Sequence, residues 1–108
     1  MVEITTNEEF QSEVIDSSAN NLVLVDFWAS WCGPCLMLKP TLEKLESESG
    51  YKLVAINVDD AHELSQKFGI RSIPTCKIYK GGSEIDNFVG AMSESALKSK
   101  IDKLNETK

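Results

Sequence analysis

Residues 22–28 form an almost unbroken apolar run that is rich in valine and is interrupted only by Asp26. A run without polar alternation is typical of a strand that is buried on both faces, in the middle of a sheet. Polar side chains bound the segment at Asn21 and Ser30. The sequence therefore predicts a central strand with other elements packed against both of its faces.

Strand and helix patterns alternate along the rest of the chain, without a linker or an internal repeat. Thr6 with Glu9, and Asp60 with Glu63, have the spacing of a capping box, so each pair predicts the start of a helix. Further strands are predicted at residues 2–5, 52–58, 75–79 and 84–89, and further helices from residues 32–35 to Gly50 and after Ser93. The order βαβαβαββα indicates an α/β fold with a mixed sheet and helices on both faces.

Length and charge exclude several classes of protein. The 108 residues suffice for one domain, predicted to span residues 1–108. No lysine or arginine precedes Lys39, so the whole net charge of −6 falls in residues 1–38. An acidic chain without a basic cluster is not expected to bind nucleic acid, and neither a targeting signal nor a membrane span is predicted. We therefore expect a cytoplasmic protein.

The chain has three cysteines. Secreted domains that are held by disulfides usually have more cysteines, and an even number of them. Cys32 and Cys35 form a Cys-x-x-Cys pair directly after the predicted central strand. In a cytoplasmic chain such a pair is typical of metal-binding or redox-active sites. The chemistry of the protein is therefore expected at this pair.

Residues 26–35 read Asp-Phe-Trp-Ala-Ser-Trp-Cys-Gly-Pro-Cys, and Ile-Pro-Thr and Val-Gly-Ala follow at residues 73–75 and 89–91. In these segments and in its order of elements, the chain closely resembles the thioredoxin family over its whole length. The resemblance implies the thioredoxin fold, a central mixed sheet of about five strands flanked by four helices. It also implies a monomeric protein-disulfide reductase that binds no cofactor, acts on disulfide-containing targets, and is regenerated by a thioredoxin reductase using NADPH.

The spacing of the two cysteines suits thiol–disulfide exchange on physical grounds. Cys32 is predicted at a helix N-terminus, where unpaired backbone N–H groups and the helix dipole favour a thiolate, so it is the natural nucleophile. Cys35 faces the same side three residues later, close enough to form a disulfide after a small adjustment, and the resemblance implies that it is the resolving cysteine. A disulfide that closes so short a loop adds little stability to the fold. This indicates that the pair serves thiol–disulfide exchange rather than structural cross-linking. Within the family, the dipeptide Gly33-Pro34 goes with reductants.

Asp26 interrupts the most apolar segment of the chain, where an unpaired charge is costly and a raised pKa is expected. The resemblance implies that this carboxylate accepts the proton of Cys35 when Cys35 attacks the mixed disulfide. The alternative is a structural carboxylate that is satisfied by a buried hydroxyl or a water molecule.

The family resemblance also implies a conformation and a role for Pro74 and its neighbours. It implies that the Ile73–Pro74 bond is cis, that Pro74 faces the cysteine pair, and that the Ile73 backbone pairs with the substrate chain. It also implies a flat apolar docking surface, formed by Trp31, Gly33, Pro34, Val58, Ile73, Gly90 and Ala91. For Val58, ordinary packing is an equal alternative. Trp31 is expected at the surface, and Trp28 is expected to be packed.

Two positions depart from the common family pattern. Leu36 stands where a lysine or arginine frequently follows the second cysteine, and Ala55 stands where many bacterial members carry a lysine near the buried acid. With both positive charges missing, the helix N-terminus is expected to be the main stabiliser of the Cys32 thiolate. We predict that this thiolate is less stabilised than in a family member with both lysines.

Other residue types allow different interpretations. Cys76 lies in a predicted buried strand, which favours a small core hydrophobe, with a regulatory thiol as the alternative. His62, the single histidine, is expected in solvent. A zinc site would need Cys32, Cys35, Cys76 and His62 to converge, and a second Cys-x-x-Cys pair is absent, so no metal is expected. The competing function is a binding module that uses the fold as a scaffold.

Overall fold

A five-stranded sheet with helices on both faces is formed by residues 1–106, the part of the chain that the computed structural model describes. The strands are β1 (Val2–Glu3), β2 (Val23–Trp28), β3 (Lys52–Asn57), β4 (Thr75–Lys80) and β5 (Ser83–Val89). The α-helices are α1 (Asn7–Phe10), α2 (Gly33–Ser49), α3 (His62–Lys67) and α4 (Glu94–Glu106). After α1 the chain continues through a π-helical segment (Gln11–Asp16) and a 3-10 turn (Ser17–Ala19). The predicted order of elements is confirmed.

The sheet is mixed, as predicted, with the strand order β1-β3-β2-β4-β5. Strands β1 and β2 run parallel to β3, and β4 runs antiparallel to both β2 and β5. The apolar run is therefore the middle strand of the sheet, which explains why it shows no polar alternation.

The segments that carry the candidate site residues meet at one end of the sheet. Trp28 and Asn57, the last residues of the parallel strands β2 and β3, are paired. Thr75, the first residue of β4, pairs with Phe27 on one side and with Val89, the last residue of β5, on the other. The segments after β2, β3 and β5 and the segment before β4 are thus brought together.

Two hydrophobic cores lie on opposite faces of the sheet, because successive side chains of a strand point to opposite faces. In β2, Val23, Val25 and Phe27 pack with residues of α1 and α3. Leu24 packs instead with residues of α2 and α4. Asp26 is two residues from Leu24, so it lies on the face that is covered by α2 and α4.

Two predicted helix starts and one predicted helix end are present in the structure. The Thr6–Glu9 capping box is confirmed, with the Glu9 N–H donating to Thr6 Oγ1 (3.1 Å) and the Thr6 N–H donating to Glu9 Oε1 (3.1 Å). The Ser93 cap is also present, since its Oγ accepts the Ala96 N–H at 3.2 Å. At Gly50, φ is +70°, and this residue closes α2 as predicted.

The predicted capping box of Asp60 with Glu63 is wrong. The backbone N–H groups of Asp60 and Ala61 both donate to the Asn57 carbonyl at 3.0 Å, which places Asp60 in a turn at the end of β3. Helix α3 consequently starts after Ala61, without a side-chain cap. In residues 1–106 we find no helix with the length and apolar character needed to cross a lipid bilayer.

Candidate active site

Cys32 and Cys35 lie at the start of α2, where the sequence predicted them. Cys32 is the N-cap residue, and Gly33 and Pro34 begin the helix. The Cys35 N–H donates to Cys32 Sγ at 3.2 Å. The two sulfurs form a disulfide with a Cα–Cα distance of 5.3 Å, so the structure shows the oxidised form of the pair.

The two cysteines differ in their access to solvent. Cys32 is 5% exposed and Cys35 is 1% exposed, and both pack against the buried Ala29. Trp28, Val58 and Ile73, each partly buried, complete this small cluster. Cys32 is thus slightly more exposed than Cys35, although both side chains are buried.

The segment before β4 faces the cysteine pair. The Ile73–Pro74 peptide bond is cis, and the Ile73 carbonyl oxygen lies 3.8 Å from Cys32 Sγ. The Gly90 N–H donates to the Pro74 carbonyl at 2.8 Å, so the segment after β5 lies beside the same site. Ile73, which is far from Cys32 in the chain, thus lies beside its sulfur, and Gly90 lies beside Pro74.

The surface around the pair is largely apolar. Trp31 is 69% exposed, and its Nε1–H donates to Asp59 Oδ2 at 2.8 Å, which fixes the ring at the rim. Leu36 and Met37, on the first turns of α2, are also exposed. The remaining residues expected on the docking surface are exposed at Gly33, Pro34 and Ala91 and partly buried at Val58, Ile73 and Gly90.

Asp26 is buried in the sheet, as predicted, and is only 2% exposed. The side-chain partner of this carboxylate is a thiol, since Cys76 Sγ lies 3.7 Å from Asp26 Oδ1. Burial raises the pKa of Asp26 from 3.8 to about 6, against the opposing effects of the Cys76 hydrogen bond and the charge of Lys39. A carboxyl group with this pKa exchanges its proton close to neutral pH.

Lys39 supplies a positive charge that the sequence reasoning missed. Leu36 is exposed, and Ala55 pairs with Asp26 across the sheet, so neither position places a charge beside the acid. The charge of Lys39 nevertheless lowers the pKa of Asp26, and its Nζ lies 4.6 Å from the centre of the Trp28 ring. The sequence could have indicated this position, because Lys39 is four residues after Cys35 and hence on the same face of α2.

The role of Cys76 beside Asp26 was also missed. Cys76 is buried, as predicted, but the antiparallel register of β2 and β4 sets it directly opposite Asp26. The sequence shows that Cys76 lies in a strand and not which residue it faces, because strand register depends on the distant partner strand.

In residues 1–106 no group of three or more His, Cys, Asp and Glu side chains is arranged to hold a metal ion. Cys76 lies against Asp26 inside the sheet, and His62 is an exposed residue at the start of α3. The four residues that a zinc site would need are therefore not brought together.

Comparison with known proteins gives one consistent family. The family model described as Thioredoxin matches residues 1–103. The thioredoxin of Chlorobaculum thiosulfatiphilum is 48% identical over 99 residues, covering 90% of this chain and 90% of that protein. The thioredoxin of Pyropia yezoensis is 48% identical over 101 residues, covering 91% of this chain and 92% of that protein.

Solved structures agree with this assignment. A Plasmodium falciparum thioredoxin superposes with a TM-score of 0.83 at 39% identity, covering 95% of this chain and 98% of that chain. A mutant thioredoxin from Halobacterium salinarum NRC-1 gives a TM-score of 0.85 at 33% identity, covering 94% of this chain and 88% of that chain. The fold expected from the resemblance is therefore confirmed. The chain belongs to the thioredoxin family and is a thiol–disulfide oxidoreductase that works through its Cys32–Cys35 pair.

Proposed function

We propose that the chain reduces protein disulfides with Cys32 as the attacking thiolate, Cys35 as the resolving thiol and Asp26 as the proton acceptor. The observation that carries this assignment is the hydrogen bond from the Cys35 N–H to Cys32 Sγ (3.2 Å) at the start of α2. Such N–H groups and the positive end of the helix dipole stabilise negative charge on sulfur. Cys32 is also the more exposed of the two cysteines.

The reaction consists of two exchanges. First, the Cys32 thiolate attacks one sulfur of the target disulfide, the bond between Cys32 and the target forms as the target bond breaks, and the other target sulfur leaves as a thiolate. Next, Cys35 transfers its proton to Asp26 and attacks the sulfur of Cys32, which expels the second target thiolate. The target gains two electrons and takes up two protons, and this chain is left as the disulfide present in the structure.

Asp26 is suited to its proposed role by its position and its pKa. Its side chain lies on the face of β2 that α2 covers, and burial brings its pKa to about 6. With Asp26→Asn, we expect slower release of the target from the mixed disulfide and loss of the rate inflection near this pH. An unchanged pH dependence of disulfide reduction would show that Asp26 is not the base.

The segment around Ile73 is proposed to hold the substrate chain. The Ile73 carbonyl oxygen lies 3.8 Å from Cys32 Sγ, so a peptide that pairs with this backbone brings its own cysteine to the nucleophile. The apolar surface proposed to receive the target is formed by Trp31, Gly33, Pro34, Val58, Ile73, Gly90 and Ala91. Exposed apolar surface of this kind is typical of protein interaction sites.

The proposal extends to the partner and setting of the protein. A flavoprotein thioredoxin reductase passes two electrons from NADPH to the Cys32–Cys35 disulfide, since this chain has no Gly-rich dinucleotide motif of its own. The chain acts as a monomer of one domain over residues 1–108, of which residues 107 and 108 lie outside the described part. The cytoplasm fits this role, because its thiols are kept reduced.

Reduction of insulin by dithiothreitol separates this function from that of a scaffold. The wild-type chain is expected to accelerate insulin reduction, and Cys32→Ser is expected to lose this acceleration while keeping its fold. Cys35→Ser provides the matched variant, because it retains the nucleophile and is expected to accumulate a mixed disulfide with the target. Equal rates for the wild type and Cys32→Ser would leave only the scaffold function.

A further inference from the structure

The carboxylate of Asp26 sits in a closed environment formed by three elements. On β3 its neighbour is Ala55, which offers no polar side chain. On β4 its neighbour is Cys76, which is fully buried and whose Sγ lies 3.7 Å from Asp26 Oδ1. In the described part of the chain, the side-chain hydrogen bond to this carboxylate comes from Cys76.

The other titratable groups near Asp26 come from α2 and from the start of β3. Lys39 of α2 acts through its charge, and Cys35 of α2 is held in the disulfide. Tyr51, which precedes β3, donates its hydroxyl to the Leu42 carbonyl, and burial raises its pKa, with smaller contributions from Glu46, Cys76 and Asp26. Helix α4 covers the same face with the apolar residues Leu97 and Ile101.

Cys76 keeps its proton while Asp26 titrates. Burial and the neighbouring carboxylate raise the pKa of the Cys76 thiol well above its usual range. The S–H group is thus a donor at every pH at which Asp26 changes its charge. A hydrogen bond to a charged acceptor is stronger than one to a neutral acceptor, so the thiol favours the ionised form of Asp26.

We propose that Cys76 is a positioning residue for the reaction: its thiol orients the Asp26 carboxylate and favours its ionised form, and thereby sets the pH above which Asp26 can accept the Cys35 proton. The kinetic part rests on the proposed function of Asp26. The Cys35 proton moves to Asp26, the Cys35 sulfur attacks Cys32, and the target thiolate leaves, while the Cys76 proton stays on its sulfur throughout.

The direct test is a ¹³C NMR titration of the Asp26 carboxyl carbon in the oxidised protein, in which Cys32 and Cys35 do not titrate. The signal is assigned by its absence in Asp26→Asn. Cys76→Ala removes the donor, and its midpoint is expected about 0.5–1 pH unit above that of the wild type. Cys76→Ser restores a donor, so its midpoint is expected at or below the wild-type value.

A second pair of variants separates the effect of the hydrogen-bond donor from the effect of a change in packing volume. Cys76→Val and Cys76→Thr are nearly equal in volume and differ in the hydroxyl donor, so the Val variant is expected to have the higher midpoint. Ile78→Val is the matched control, since Ile78 lies on the same face of β4 but pairs with Leu24. This control trims the core without touching Asp26, and its midpoint is expected to equal that of the wild type.

Equal midpoints within the Ala and Ser pair and within the Val and Thr pair would overturn the proposal. So would a shift in Ile78→Val as large as that in Cys76→Ala, because packing would then explain both. If one pair of variants does not fold, the other pair decides.

The pH profile of target reduction distinguishes this proposal from the function of Asp26. If Asp26 is the base, the kinetic midpoints of the Cys76 variants are expected to shift with the NMR midpoints, and the shift is expected to vanish in an Asp26→Asn background. If Asp26→Asn leaves the profile unchanged, the role of Asp26 fails while the NMR titration still decides what Cys76 does. If Asp26→Asn alters the profile but all NMR midpoints coincide, the role of Cys76 alone fails.

Discussion

At the scale of single residues, the burial of Asp26 makes the stability of the protein depend on pH. Burial raises its pKa from 3.8 to about 6, so between these pH values the native state holds a proton that the unfolded chain has released. The stability that Asp26 contributes is therefore fully present below about pH 4 and is lost as the pH rises through about 6. About two pKa units correspond to about 3 kcal/mol.

Asp26→Asn is expected to remove this loss, because the amide carries no charge at any pH. The difference in the free energy of unfolding between the variant and the wild type should grow in favour of Asn, by up to about 3 kcal/mol from pH 4 to pH 7. Urea unfolding of the oxidised proteins at four pH values in this range measures it. Stability curves that run parallel would contradict the assignment.

Leu36 is a position at which the effect of charge on Cys32 can be tested. Leu36 is 47% exposed on the first turn of α2, so a lysine there places a screened positive charge near the sulfur. We expect Leu36→Lys to lower the pH midpoint of Cys32 alkylation in the reduced protein by about 0.2–0.5 units. Leu36→Gln is the neutral control, and an equal shift in both variants would rule out a charge effect.

At the scale of elements, most local patterns predicted the structure correctly, and the capping pattern at Asp60 did not. The apolar run at residues 22–28 indicated a central strand, and Thr6 and Glu9 indicated a helix start, because both signals lie within a few residues. Asp60 was misread, since its position depends on a turn that closes on the Asn57 carbonyl. The π-helical segment Gln11–Asp16 after α1 has no comparable local signal.

The capping box of α1 gives a prediction at this scale. Thr6→Ala removes the oxygen that accepts the Glu9 N–H, and it is expected to destabilise the protein by about 1 kcal/mol. Thr5→Ala is the matched control, because the Thr5 contact with Glu9 is made mainly by its backbone N–H, which alanine keeps. Equal losses in urea unfolding would show that the cap contributes nothing particular to stability.

At the scale of the whole molecule, folding brings basic residues from later in the chain close to acidic residues of the first 38. Glu13 pairs with Lys52 at 3.3 Å, so part of this charge is compensated by a residue from later in the chain. The acidic group beside the site is Asp59, which holds Trp31, and Lys39 lies on the other side near Trp28. Lys39 also lowers the pKa of Asp26, so a positive charge acts on the buried acid although neither Leu36 nor Ala55 is charged.

The net charge of −6 is expected to steer the choice of target. Two disulfide peptides that differ in lysine and glutamate residues near the cysteine should be reduced at different rates, with the basic peptide about two- to five-fold faster at low salt. The difference should largely disappear at about 1 M salt, where charges are screened within about 3 Å. Asp60→Asn, which removes a charge next to Asp59, is expected to reduce the preference, and rates that ignore ionic strength would exclude steering.

The site itself could be predicted only in part. The Cys32–Cys35 pair could be recognised as a candidate site from four consecutive residues. The predicted roles of Asp26 and Pro74 came from the family resemblance. The thiol beside Asp26 could not be predicted, because it depends on the register between β2 and β4. Contacts between strands that are about fifty residues apart are a property of the folded chain and leave no local pattern.

The buried position of Cys76 also restricts which disulfides the molecule can form. In the oxidised protein two of the three cysteines are bridged, and the third is fully buried with its proton held. A bridge to a second molecule or to glutathione requires an accessible thiolate, which Cys76 does not provide. Cys76 is thus not available for such a bridge, and the disulfide of the chain is the one between Cys32 and Cys35.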